Sequence, residues 1–168
     1  ELQRIAKEES RLGIPLLTGR DVIHGFKTVM PIPLGQAASW DPDLVARASR
    51  ASSAEACRAG INWTFAPMLD VTRDPRWGRV AESPGEDPYL AGEMAAALTR
   101  GVQGEQLDDP ESLAACAKHF AGYGAVEAGR DYAATNVPPN EMRNVHLRAF
   151  RAAIEAGAAT VMTAFTDI

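Results

Sequence analysis

Short, largely apolar runs that show no clean alternation as a set recur along the chain, followed by polar loops and helix-patterned segments. Runs of this kind belong to strands buried on both faces, and buried strands joined through helices build a parallel sheet. The first run, Leu16 to Thr18, leads into Gly19-Arg20-Asp21. Ile61 to Phe65, Ala114 to Phe120 and Ala158 to Phe165 repeat the pattern. The intervening helices are expected over 40–60, 87–104 and 140–156. Asp41 and Asp87 stand where side-chain caps belong, Pro42 and Pro88 suit the first turn, and Gly60, Gly104 and Gly157 mark the exits. Glu1 to Glu9 reads as the tail of a helix already under way.

Two closures accommodate such a chain: an open doubly wound sheet, or an eight-fold barrel. An open nucleotide-binding sheet should carry a glycine-rich phosphate turn after its first strand. Neither G-x-G-x-x-G nor G-x-x-x-x-G-K-[ST] occurs. The expected fold class is therefore α/β, a partial (β/α)8 TIM-type barrel with about half of the strands, truncated at both ends. Residues 1–168 are expected to form one incomplete domain. A net charge of -5 with both signs interspersed argues against a nucleic-acid partner, which requires a concentrated basic face. No run of about 18 apolar residues suggests a membrane span. Cys57 and Cys116 lie in Ala-rich surroundings and read as small buried residues; no close cysteine pair or metal-spaced cluster implies a cofactor.

Polar side chains gather where these strands end. In a parallel barrel, that is where ligands bind. The first strand leads into Asp21 and His24. The second opens into the stretch from Met68 to about Glu86, with Asp70, Arg73, Asp74, Arg76, Trp77, Arg79 and Glu82. The third carries Lys118 and His119, then Tyr123, Arg130, Asp131 and Tyr132; the fourth offers Met162, Thr163 and Phe165. Charge directly after buried apolar segments is costly unless paired or used. Acids and bases among aromatic rings suit a sugar, whose hydroxyls take hydrogen bonds and whose C–H faces lie on rings. The same dress suits aldolases and isomerases.

Four blocks narrow the choice: DVIHGF (Asp21 to Phe26), FAPMLDVTRDPRWGR (Phe65 to Arg79), ESPGEDPYL (Glu82 to Leu90) and KHFAGYGAVEAGRDY (Lys118 to Tyr132). In this order, and nearly end to end, they resemble glycoside hydrolase family 3, in particular its bacterial periplasmic β-glucosidases. The resemblance implies a (β/α)8-type barrel, usually followed by an α/β sandwich domain, and a retaining β-glucosidase-type reaction without cofactor or metal. It assigns sugar contacts to Asp21, Arg79, Lys118 and His119, and by weaker matches to Arg130 and Met162. It implies no catalytic residue here: the aspartate nucleophile and the general acid are expected beyond Ile168. The partners implied are a β-linked oligosaccharide or glycoside and the remainder of the same chain, and the location implied is periplasmic or secreted. The family's N-acetylglucosaminidase branch usually reads KHFPGHG. Ala121 and Tyr123 depart from that pattern and favour a glucosidase or xylosidase type.

Other readings stand beside this one. The chain could be a non-catalytic sugar-binding module, or a Schiff-base aldolase using Lys118. Arg79 could simply pair with Glu82. His24 is expected to orient its loop. Asp70, Arg73, Asp74 and Arg76 read as one buried ion network with Trp77 packed against it. Asp131 and Asp167 are the only tempting substitutes for a nucleophile, and His146 reads as a helix residue facing solvent or core.

Overall fold

The computed structural model describes all residues from Glu1 to Ile168. A short helix α1 (Leu2–Arg4) runs into a π-helical turn over Ile5–Glu9, followed by strand β1 (Gly19–Arg20). Helices α2 (Pro33–Ala37) and α3 (Pro42–Arg58) precede β2 (Trp63–Thr64), and α4 (Pro88–Gln103) precedes β3 (Cys116–Phe120). Helix α5 (Pro139–Glu141), a π-helical turn over Met142–His146 and α6 (Leu147–Glu155) lead to β4 (Thr160–Thr163). The two long helices begin as their sequences dictate. Asp41 accepts a hydrogen bond from the Leu44 N–H at 2.8 Å, and Asp87 one from Leu90 at 2.7 Å. Each acid thereby satisfies a donor that the first helical turn leaves free.

The strands are parallel and lie side by side in chain order. β1 pairs with β2 through Gly19↔Trp63 and Arg20↔Thr64. Bridges at Trp63↔Ala114 and Met68↔Lys118 join this pair to β3, which pairs with β4 through Cys116↔Thr160, Ala117↔Val161 and Lys118↔Met162. β1 and β4 do not meet, so the strands form an open row and no barrel closes. Helices cover one side. α4 packs between α3 and α6, and the alanines of α4 and α6 form a core with Ala117 of β3, Leu69, Val71 and Phe150. Gly101 permits the α3–α4 approach: a Cβ there would lie 2.4 Å from the Ala46 carbonyl oxygen.

The first strand lies a little later than its apolar run suggests. Leu16 and Leu17 are exposed, and side-chain amides take over part of the backbone bonding: Gln3 brackets Leu16, and Asn62 accepts from the Thr18 N–H at 2.6 Å. A backbone held in this way has less need of a ladder partner. Cys116 is buried as expected. Cys57 is only half-buried and donates its thiol hydrogen to the Ser112 carbonyl at 3.4 Å. No helix is long and apolar enough to cross a membrane.

Candidate functional site

The C-terminal ends of the strands bring together residues far apart in sequence. Asp21 directly follows β1, and Lys118 sits within β3; Lys118 Nζ donates to Asp21 Oδ1 at 2.6 Å. Lys118 is almost fully buried, whereas the Asp21 side chain is 57% exposed. The ammonium is thus held by a carboxylate that still faces solvent. Met162 is the register partner of Lys118 on β4, which sets it beside the lysine in the sheet.

His119 occupies the next position on β3. Its Nδ1 lies 2.7 Å from Asp70 Oδ2, and the same oxygen accepts from the His119 backbone N–H at 3.3 Å. Aromatic rings confine the imidazole: Tyr123 stands edge-on at 5.2 Å and Phe165 is tilted at 5.1 Å. Tyr123 also meets Trp77 edge-on at 5.0 Å, and the Arg79 guanidinium lies 5.6 Å over the Tyr123 ring. Tyr123 therefore links the histidine to the arginine. Gly124 makes the close approach possible, since a Cβ there would meet the Val71 carbonyl oxygen at 2.3 Å.

Asp131 anchors this aromatic group. Trp77 Nε1 donates to its Oδ1 at 3.0 Å, and the Tyr123 hydroxyl donates to the same oxygen. Burial and the bond to Asp131 push the Tyr123 hydroxyl up to about 12, with Arg79 acting the other way. Burial would raise the Asp131 carboxyl, but the hydrogen bonds from Tyr123 and Trp77 more than offset it and hold the group below the ordinary value. Arg79 forms a fork with Glu82, at 2.8 Å and 3.1 Å. Burial works against its charge, but Glu82 and Tyr123 outweigh that and raise its pKa. The Arg79–Glu82 pair and the Tyr123 contact thus coexist.

Two expectations need correction, the buried ion network and the packing of Trp77. The loop acids and bases do not form one buried network. Asp70 is buried on His119, whereas Arg76 binds Asp74 at the surface at 2.7 Å and Arg73 reaches Glu141 at 3.6 Å. Arg side chains can stay hydrated on a wide loop, and leaving them in water avoids the cost of desolvation. Trp77 packs instead on Tyr123 and Met68. Arg130 is exposed and its side chain joins none of these contacts. Asp131, considered as a nucleophile from sequence, has an oxygen occupied by two donors. His24 does orient its loop, with Nδ1 3.3 Å from the Met30 carbonyl oxygen. His146 is a core residue, and burial lowers its pKa.

Sequence reasoning missed Asp70 as the partner of His119 and Tyr123 as the hub of the cluster. An apolar run ending in an acid (Met68-Leu69-Asp70) was the only signal for the first. Lys118, His119, Asp70, Tyr123 and Trp77 are all buried, and the clefts of about 410 Å³ and 900 Å³ sit elsewhere, beside the Arg73–Arg76 loop and between α4 and α6. No group of three His, Cys, Asp or Glu side chains has the spacing to hold a metal ion.

Parallel strands covered by helices, with charged and aromatic side chains converging at the strand C-termini, define an α/β domain of the kind that binds ligands at its strand ends. Known proteins make this specific. The sequence model of the glycosyl hydrolase family 3 N terminal domain matches residues 1–168, and the chain belongs to that family. It is 43% identical over 159 residues to a periplasmic beta-glucosidase of Salmonella typhimurium, covering 95% of this chain and 21% of that protein. A beta-xylosidase of Formosa agariphila is 35% identical over 180 residues, covering 99% and 25%. Among solved structures, beta-glucosidase from Listeria innocua in complex with glucose superposes with a TM-score of 0.96 at 49% identity, over 98% of this chain and 23% of that one. The chain thus spans about a quarter or less of the length of these relatives.

Proposed function

We propose that this chain forms the sugar-holding part of a retaining β-glucosidase-type glycoside hydrolase. The observation that carries the reading is the Lys118–Asp21 pair beside the Asp70-held His119, at the adjoining ends of β1, β2 and β3. Lys118 supplies hydrogen-bond donors and Asp21 supplies acceptors at neighbouring points, the pattern that adjacent ring hydroxyls require. Arg79 adds a planar fork at the edge of the group, and Met162 extends it from β4. Phe165 and Tyr132, both exposed and 5.8 Å apart, offer apolar faces for the C–H side of a ring. Arg130 is retained as an outer contact on the family resemblance alone.

In this reading the chemistry lies in the rest of a longer protein, whose further strands complete a (β/α)8-type barrel with β1 and β4. A retaining enzyme sets two carboxyls about 5 Å apart across the scissile bond: one attacks the anomeric carbon, and the other protonates the leaving oxygen and then activates water. The acids of this cluster are otherwise engaged, Asp21 with Lys118, Asp70 with His119 and Asp131 with Trp77 and Tyr123. Likeness to glucosidases and a xylosidase supports a β-glucoside or β-xyloside as substrate. Likeness to a periplasmic relative supports a periplasmic or secreted location. Nothing in the geometry favours the aldolase alternative, because Lys118 Nζ is held by a carboxylate at 2.6 Å.

Hydrolysis of p-nitrophenyl β-D-glucoside and β-D-xyloside by residues 1–168 and by the complete protein tests the reading. Activity in the complete protein alone is expected. Activity in residues 1–168 alone would mean that the catalytic carboxylates lie within them, with Asp131 and Asp167 the first to replace.

A further inference from the structure

Asp70 is a costly residue where it stands. Its side chain is 1% exposed, and Oδ1 has no hydrogen-bond partner. A buried carboxylate with one oxygen unserved opposes folding, and such groups persist where they do something other than stabilise. All of the side-chain hydrogen bonding of Asp70 goes to one residue: Oδ2 takes both the backbone N–H and the ring Nδ1 of His119. The backbone ties the two residues as well, since the Leu69 N–H donates to the Lys118 carbonyl at 2.6 Å and Met68 bridges Lys118. Tyr123 and Phe165 confine the ring, and no protein hydrogen bond reaches Nε2.

We propose that Asp70 is the positioning residue of the sugar site, fixing the His119 ring with its hydrogen on Nδ1 so that Nε2 alone is presented to a sugar hydroxyl. The proposal rests on the sugar-holding reading of His119. A carboxylate can only accept, so Nδ1 must donate, and the tautomer is settled before any ligand arrives. With the ring unable to turn, binding of the sugar need not expend free energy on choosing an orientation, the same advantage that carboxylates confer on metal-binding histidines. The other groups facing the ligand have different hydrogen-bonding capacities: Lys118 and Arg79 donate only, and Asp21 accepts only. His119 Nε2 in the neutral ring supplies an acceptor flanked by donors, so the site reads the direction of successive hydroxyl hydrogens as well as their positions.

The test is a double-mutant cycle in the complete protein, reading kcat and KM on p-nitrophenyl β-D-glucoside and the affinity for glucose. Asp70→Ala is expected to weaken glucose binding and lower kcat/KM roughly 10- to 100-fold, as loss of a charge-assisted hydrogen bond does. Asp70→Asn, which keeps an acceptor of the same shape, should recover most of that loss. In a His119→Ala background, Asp70→Ala should cost nothing further, because its action passes through the ring. An equal cost with and without His119, or full kcat/KM in Asp70→Ala, would overturn the proposal. If Asp70→Ala does not fold, Asp70→Leu, which fills the space but offers no acceptor, carries the cycle. Separately, ¹⁵N signals of His119 should place the hydrogen on Nδ1 in the wild-type protein and in Asp70→Asn, and show exchange between tautomers in the variants that leave no acceptor at position 70. A complete protein inactive on both glycosides but with this fixed tautomer would end the glycosidase reading and leave the positioning role standing; a His119 tautomer indifferent to Asp70 would end the positioning role alone.

Discussion

Tyr123 shows how one side chain at the site can be held by its neighbours in opposing ways. Its ring is packed between Trp77 and His119, its hydroxyl bonds to Asp131, and the Arg79 guanidinium lies over its face. Because its pKa is raised to about 12, the folded state holds the phenolic hydrogen more tightly than the unfolded state does. The stabilisation is therefore complete below the ordinary value near 10 and is lost as pH rises through about 12. A spectrophotometric titration should show a tyrosinate step near pH 12 that Tyr123→Phe removes. A Tyr123 that ionised near pH 10 would mean the bond to Asp131 is not maintained. From sequence, Tyr123 was visible as one of the residues gathered after the third strand and as a departure from KHFPGHG, but nothing local announces that Trp77 and Asp131 converge on it. Lys118 and His119 were legible because two ionisable residues at the end of a buried strand have few structural reasons to be there.

Helix placement followed from local chemistry. Asp-Pro at the start of both α3 and α4 supplies a capping oxygen and a preset backbone angle within three residues, and Gly104, with φ of 62°, ends α4 where the sequence suggested. The short strands were less legible, because a ladder of two residues is chosen by its neighbours: β1 and β2 exist only where they face each other. Helix packing also depends on partners. Gly101 on α4 touches the Ala46 backbone of α3 so closely that a methyl group has no room. Gly101→Ala should raise the helix propensity of α4 and still destabilise the protein by about 1–3 kcal/mol, measured by denaturant unfolding, because overpacking outweighs propensity. A neutral or stabilising result would show that α3 can move away freely.

The whole molecule is a row of four parallel strands with helices on one side and two open edges. Val161 on β4 is 47% exposed, and Phe165 and Ile168 just beyond it are exposed as well. An open edge with apolar side chains invites pairing with other chains. Residues 1–168 alone are therefore expected to melt broadly and to scatter light on warming, whereas the complete protein should melt cooperatively. A sharp, reversible melt of a soluble monomer by residues 1–168 would contradict this. The sequence by itself determined the parallel α/β class, the long helices and the gathering of charged and aromatic residues at the strand ends. Capping, periodicity and charge after buried runs are written in short stretches of chain, and the family blocks are contiguous. Only the tertiary structure decided that Asp70 serves His119 and not an ion network, that Tyr123 joins the histidine to Arg79, and that Arg130 stands apart. Those pairings depend on which strand ends meet, and in a parallel sheet each neighbour lies a whole strand–helix unit away along the chain.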